Sequence, residues 1–370
     1  MRSSEREPNA NQRTARRHCL IGLVALLVGC SEQGGQPPGA VVLEVWAHAG
    51  QAAERQVLER QAVRFSGAQP DIDVRLTFIP ERSYNAQVQA AAVAGELPDV
   101  LEFDGPFLFN YVWQGRLLPL DGLLAADTQQ DLLPSIVEQG RYLGRLYGAG
   151  TFDSGLGLYA RRSALQAAGI RIPSDPQDAW DAGEFGMILK TLAQHDTDGM
   201  VLDLKLNYAG EWFTYAFSPL LQSAGGDLID RSAYQSAEGA LNGPRSVAAM
   251  SALQDWFSGG YVDPNLDDAA FVSGRVALSW AGHWEYARYA AALGDDLLLL
   301  PLPDFGQGSR TGQGSWVWGI TKGSEHPQAA ARWLEFLLQP AEVLAMATAN
   351  GAVPATQAAV DRSAPVSYTH

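Results

Sequence analysis

A two-lobed α/β fold is predicted for this chain by three observations. Its 370 residues suffice for two domains. Segments of strand and helix periodicity alternate along most of it, the order that builds parallel sheets with crossover helices. One stretch, residues 146–162 (LYGAGTFDSGLGLYARR), then sets Gly148, Gly150, Gly155 and Gly157 among two tyrosines, Phe152 and Asp153. Glycine inside an extended run marks a bend or a close approach to the backbone. The stretch is read as the passage from one lobe to the other, with Phe152 and Asp153 at the cleft. The plainer reading is a buried strand with awkward turns.

Composition narrows the class. With 46% hydrophobic and 18% charged residues the chain is globular rather than disordered. A net charge of -15 argues against a nucleic-acid partner, which needs clustered Lys and Arg to neutralise phosphates. The two cysteines, Cys19 and Cys30, both lie in the first thirty residues. The body therefore has no disulfide, Cys nucleophile or thiolate metal site to build.

Arg13, Arg16 and Arg17 precede an apolar run, residues 20–29 (LIGLVALLVG), too short to span a bilayer. A basic region followed by such a run is a secretory signal. Its end, LVGC at 27–30, resembles the bacterial lipobox, which implies that Cys30 is lipidated and becomes the first mature residue. Residues 1–30 are thus expected to be a lipoprotein signal peptide and 31–40 a flexible tether. The expected location is the cell envelope, lipid-anchored in the periplasm or on the outer face of the cytoplasmic membrane.

The body opens with a buried strand at 41–46, a helix at 51–65 with Leu58, Ala62 and Phe65 in step, and a strand at 71–78. A helix at 84–94 closes at Gly95, and a strand at 98–103 follows. In open parallel sheets ligands sit beyond the carboxyl ends of the strands. That rule points to Trp46, His48, Phe103 and Asp104.

Residues 95–100 (GELPDV), 115–120 (GRLLPL) and 144–148 (GRLYG) resemble segments of the extracellular sugar-binding proteins of ABC importers. That family includes maltose-binding protein. Further on, 174–184, 220–227 (LLQSAGGD), 271–285, 312–320 (GQGSWVWGI) and 322–338 resemble later family segments in the same order. Ala160-Arg161 stands where the family usually has Asn-Lys. The resemblance runs from about residue 41 to 357 and implies a periplasmic-binding-protein-like fold of type II, each lobe a mostly parallel sheet flanked by helices. It further implies three interlobe crossings, near 149–153, 278–283 and 314–319. The first lobe would then comprise 41–150 plus 283–314, and the second 153–278 plus 319–370. Residues 363–370 (SAPVSYTH) lack a helical pattern and VSYTH resembles adapter read-through, so the second lobe is expected to be cut short of its closing helices.

A sugar presents C–H faces and hydroxyl edges, so its site needs aromatic planes beside amides or carboxylates. Residues 207–217 (NYAGEWFTYAF) supply Glu211, Trp212 and Tyr215. The resemblance adds Trp284, with His283 and Glu285 beside it, and Trp316 on the return strand. Asp175 or Asp178 is a candidate cap for the helix after Trp180. Asp196, Asp198 and Gly199 form part of a calcium-loop pattern but lack the remaining ligands, so a turn is expected.

Two function classes compete. A secreted glycosidase needs two carboxylates facing across a bond, and Asp104, Asp153, Glu211 and Glu285 are available. No nucleophile elbow, HExxH or P-loop appears, and the six histidines are scattered. The reading favoured is capture rather than catalysis. A monomeric lipoprotein with no cofactor or metal would close around a carbohydrate and deliver it to the ABC permease subunits of the membrane.

Overall fold

The computed structural model describes residues 40–363 apart from 209 and 233. The signal peptide, Cys19, Cys30, residues 31–39 of the tether and residues 364–370 of the tail lie outside the described residues.

The first lobe is built as its periodicity requires. Strand β1 (Val41–His48) leads to helix α1 (Ala52–Ala68), β2 (Ile72–Ile79), α2 (Glu81–Ala94) and β3 (Val100–Asp104). β1 lies parallel to both β2 and β3, pairing Val41 with Ile72, His48 with Ile79, and Val45 with Val100. All three strands therefore end on the same side, at His48, Ile79 and Asp104. Gly95 closes α2 at φ 76°, a left-handed cap that glycine adopts without strain.

From there the chain passes through β4 (Phe152–Asp153) into β5 (Leu156–Arg161), the centre of a second sheet. Helix α3 (Ala182–His195), β6 (Leu202–Asp203), α4 (Trp212–Ser223), α5 (Pro244–Ser258), β7 (Leu278–Gly282), α6 (Tyr286–Leu293) and β8 (Leu297–Leu300) complete that lobe. Its sheet runs β8-β5-β7-β6. Two of the three pairings are antiparallel, so the expectation of a mostly parallel sheet holds for the first lobe and fails for the second. Asp181, not Asp175 or Asp178, caps α3 by accepting from the Glu184 amide at 2.8 Å. Asp196 accepts from the amides of Asp198 and Gly199, the turn expected there.

The return strand β9 (Trp316–Ile320) is antiparallel to β3, pairing Trp316 with Asp104. Helices α7 (Pro327–Leu337), α8 (Pro340–Asn350) and α9 (Gln357–Val360) follow, with β10 (Val353–Pro354) between the last two. All three helices close the first lobe. Trp333 and Val343 are buried with Leu43, Val45 and Phe65, and the rings of Phe65 and Trp333 meet edge to face at 5.2 Å. Gln61 of α1 donates to the Glu342 carbonyl at 3.1 Å, and Arg64 pairs with the Glu342 carboxylate.

Two lobe boundaries are corrected by these contacts. Residues 319–370 were expected in the second lobe, but their described part, to residue 363, covers the first sheet. Residues 283–314 were expected in the first, but β8 pairs with β5 and Tyr289 packs against Tyr159 and Phe271. Among the described residues the chain crosses twice. The crossings near 149–153 and 314–319 run side by side, joined at Ala149–Trp318 and Ser154–Gly314. The crossing expected at 278–283 is absent, because β7 stays in the second sheet and the chain turns back through α6.

Candidate functional site

The ends of β1, β3 and β9 make the first-lobe side of the interlobe line. His48 ends β1 nearly buried, stacked flat on Trp316 with centroids 3.9 Å apart and planes 4° apart. Its Nδ1 lies 2.7 Å from Glu102, whose carboxylate also accepts from the His48 amide at 3.1 Å. Burial opposes a charged ring, but Glu102 and then Glu54 outweigh it and raise the His48 pKa. Two residues along β3, the Asp104 carboxyl is pushed up to about 6 by burial, with Glu211 of the other lobe adding to the shift and His48 opposing it. Phe103 points the opposite way along the pleat and is fully buried against Tyr111. It belongs to the core, so its expected place at the cleft is corrected. Trp46 is half-buried and packs on the same core.

The second-lobe side is aromatic. α4 begins at Trp212, directly after Glu211, and carries Tyr215 one turn on. Trp212 is buried, donating its indole N–H to the Leu204 carbonyl at 3.2 Å, so it supports the wall rather than presenting a free face. Trp284 is half-buried and meets Trp212 edge to face at 6.0 Å and Tyr215 at 6.4 Å. Burial, then Asp153 and Asp104, raise the Tyr215 pKa well above the phenol range, so its hydroxyl stays protonated. It donates weakly to the Gly312 carbonyl at 3.4 Å. A Cβ on Gly282 would sit 2.1 Å from the Trp284 ring; glycine there lets the indole lie across the end of β7.

Between the two sides runs the hinge line. Phe152 is buried and meets His283 at 5.8 Å, so it is packing within the hinge, not exposed at the cleft. Asp153 is half-buried and accepts from Gln139 at 3.0 Å. His283 faces the Asn350 carbonyl through Nδ1 at 3.0 Å and Ser154 Oγ through Nε2 at 2.9 Å. A carbonyl only accepts, so Nδ1 carries the proton and Nε2 accepts from the serine. Burial lowers the His283 pKa to about 4, keeping the ring neutral. His283 thus ties the second lobe to α8 of the first.

Glu285 is placed differently from expectation. It is buried, accepts from the Tyr208 hydroxyl and from Arg288 Nε at 2.8 Å, and lies 3.6 Å from Lys205 Nζ. Lys205, itself buried, also pairs with Asp268 at 2.6 Å and Asp203 at 3.5 Å. A carboxylate so fully engaged has no free valence for a ligand; it belongs to the lobe's interior. Lys205 and Asp268 both hold left-handed backbone, φ 53° and 56°. Such strain costs on the order of 1–3 kcal/mol per residue and persists only where surroundings over-determine it.

Of the residues singled out from the sequence, His48, Asp104, Asp153, Glu211, Tyr215, Trp284 and Trp316 lie along the interlobe line, whereas Phe103, Phe152, Trp212 and Glu285 are buried within the lobes or the hinge. Sequence reasoning missed Tyr208, which receives the Trp284 indole N–H at 3.0 Å, and Gln51, which donates across the lobes to the Trp284 carbonyl at 2.8 Å. Tyr208 lies inside the aromatic segment already singled out; nothing marked Gln51. Among the described residues no group of three His, Cys, Asp or Glu side chains is arranged to hold a metal ion.

A family model described as bacterial extracellular solute-binding protein matches residues 61–369. An uncharacterized lipoprotein from the oleD 5′ region of Streptomyces antibioticus is 25% identical over 358 residues, covering 92% of this chain and 76% of that protein. The maltodextrin-binding protein MdxE of Bacillus subtilis is 24% identical, covering 78% of this chain and 68% of its own. Among solved structures, the GacH receptor of Streptomyces glaucescens, known unliganded and with acarbose, superposes with a TM-score of 0.74 at 22% identity. The match covers 89% of this chain and 82% of that one. This likeness bears on the fold, which is the two-lobed type II architecture.

Proposed function

The chain belongs to the bacterial extracellular solute-binding proteins, and from that premise we propose that it captures a carbohydrate between its lobes. The observation that carries the reading is the meeting of Trp284 and Tyr215 with Asp104, Asp153 and Glu211 along one interlobe line. Aromatic planes match sugar C–H faces, and carboxylates accept from hydroxyls. The maltodextrin-binding and acarbose-binding proteins to which the chain is similar support the same class of ligand. Ligand drives closure by binding the closed form more tightly, and the paired crossings at 149–154 and 314–318 are the natural hinge. The closed, loaded form would hand its sugar to the permease subunits of an ABC importer. Anchoring through a lipidated Cys30 fits the lipobox-like segment and the similarity to a lipoprotein. The reading is of a monomer that binds without catalysis; of the four carboxylates a hydrolase could use, Glu285 is already neutralised by Lys205 and Arg288.

Thermal unfolding with maltose, maltotriose and acarbose tests this. A ligand at one hundred times its Kd adds about 2.7 kcal/mol and raises Tm accordingly. Unchanged melting with every carbohydrate of a broad panel overturns the ligand class. Appearance of hydrolysis products from purified protein overturns capture in favour of catalysis.

A further inference from the structure

The buried ionic group of Lys205, Asp203, Asp268, Glu285 and Arg288 is joined to Trp284 through Tyr208, and the hydrogen bonds along that join run in one direction only. An indole N–H can only donate, and Trp284 Nε1 donates to the Tyr208 hydroxyl oxygen at 3.0 Å. The phenol must then send its own proton onward, and Glu285 accepts it. Glu285 is held as an acceptor by Arg288 at 2.8 Å and Lys205 at 3.6 Å, and Lys205 by Asp268 at 2.6 Å. No member of this series can reverse its role without leaving a buried charge or donor unpaired. Lys205 and Asp268 are both in strained left-handed backbone, so the fold keeps this arrangement against a local cost. The Tyr208 ring meets Trp212 edge to face at 5.0 Å, which fixes the hydroxyl in place.

We infer that Tyr208, Glu285 and Lys205 are positioning residues that lock the Trp284 indole in one orientation as a preformed stacking surface for ligand. With the ring lying close over Gly282 and its N–H held by Tyr208, the indole cannot turn without losing that bond, and its half-exposed part is presented in one orientation. A surface fixed in advance loses no rotamer freedom on binding, so its affinity is higher than that of a free ring. Burial, and then Glu285, raise the Tyr208 pKa far above neutrality, so the phenol keeps the proton the series needs. The inference rests on the reading of Trp284 as a ligand-facing residue.

The test uses Tyr208→Phe, Trp284→Phe and the double variant, titrated with maltotriose by tryptophan fluorescence. Indole N–H resonances are recorded on tryptophan-labelled protein in parallel. Tyr208→Phe is expected to weaken binding about tenfold, the value of one well-made hydrogen bond. The double variant should bind no more weakly than Trp284→Phe alone. In Tyr208→Phe the indole resonance that Trp284→Phe removes should shift and exchange faster with solvent. Additive losses, or an unmoved Trp284 resonance, overturn the positioning role. If maltotriose fails to bind the wild type, the choice of sugar is wrong, and the indole resonance still decides whether Tyr208 holds Trp284. If Trp284→Phe leaves binding intact while its resonance moves in Tyr208→Phe, the lock is real but Trp284 is not the ligand surface, and the inference falls.

Discussion

The two lobes reach the same interlobe line by different means. In the first, strand ends deliver His48, Asp104 and Trp316, with a mainly aliphatic core sealed by α7 and α8 on one face of the sheet and Tyr84, Phe103 and Tyr111 packed on the other. In the second, a mostly antiparallel sheet packs on a core that includes Trp180, Phe185, Trp256 and Trp280, and a buried charge group backs Trp284. Strands whose every backbone group is paired hold their ends rigidly. The short helical turn carrying Trp284, His283–Glu285, has no such ladder and takes its rigidity from side-chain bonds instead.

The largest expected effects separate these two modes. Trp333→Ala should cost the first lobe about 3–5 kcal/mol through lost burial and a cavity. Lys205→Met should cost the second a similar amount, about 3–5 kcal/mol, because it leaves Asp203 buried without its cation and Glu285 with Arg288 alone. Urea unfolding measures both. If Lys205→Met were neutral, the second lobe would be held by packing like the first, and the contrast would disappear.

The two hinge-side histidines should respond to pH with opposite sign. His48 has a raised folded pKa, so its contribution is complete below 6.5 and is lost as pH rises through the folded value. His283 is depressed to about 4, so its contribution is present above 6.5 and falls away between 6.5 and 4, on the order of 3 kcal/mol. Melting of His48→Gln and His283→Gln against pH checks this. The His48 variant should lose most, relative to wild type, at low pH, and the His283 variant should regain ground there. Profiles tilting the same way would contradict the arrangement.

A smaller effect is expected at Asp104. Its carboxyl, raised to about 6, is ionised at a cost above that pH. Asp104→Asn should therefore stabilise the protein by about 1–2 kcal/mol at pH 8 and hardly at all at pH 4, the half-buried position reducing the full linkage value. Equal effects at both values would mean that Asp104 is not held between burial and Glu211.

Much of the first lobe was legible because each element carried its own periodicity: the alternation of Ile72, Val74, Leu76 and Phe78 defines a strand without reference to anything else. The destination of α7 and α8 was not legible. An apolar stripe such as Ala330, Trp333, Leu334 and Leu337 states that one helix face is buried, not which sheet it covers. Adjacent site residues failed for a related reason. Phe103 and Asp104 share a strand end, but the pleat sends them to opposite faces, and only the pairing with β9 shows which faces inward. Glu285 was misplaced because its partner Lys205 is eighty residues away in sequence. A trace existed in the charged residues Asp203 and Lys205 spaced inside the apolar run 201–206, where a lone lysine has to find carboxylates.

The return of β9 and α7 to the first sheet also governs the order in which the molecule can assemble. Every strand pairing of the second lobe's sheet lies within residues 156–300, whereas the first sheet needs a strand made more than two hundred residues after β3. As the chain emerges from its amino end, the second lobe can bury its core as a continuous segment while β3 still waits with an open edge. The later lobe in sequence can then complete its sheet before the earlier one does. An unpaired parallel sheet flanked by a nearly finished neighbour is the species a chaperone would have to shield.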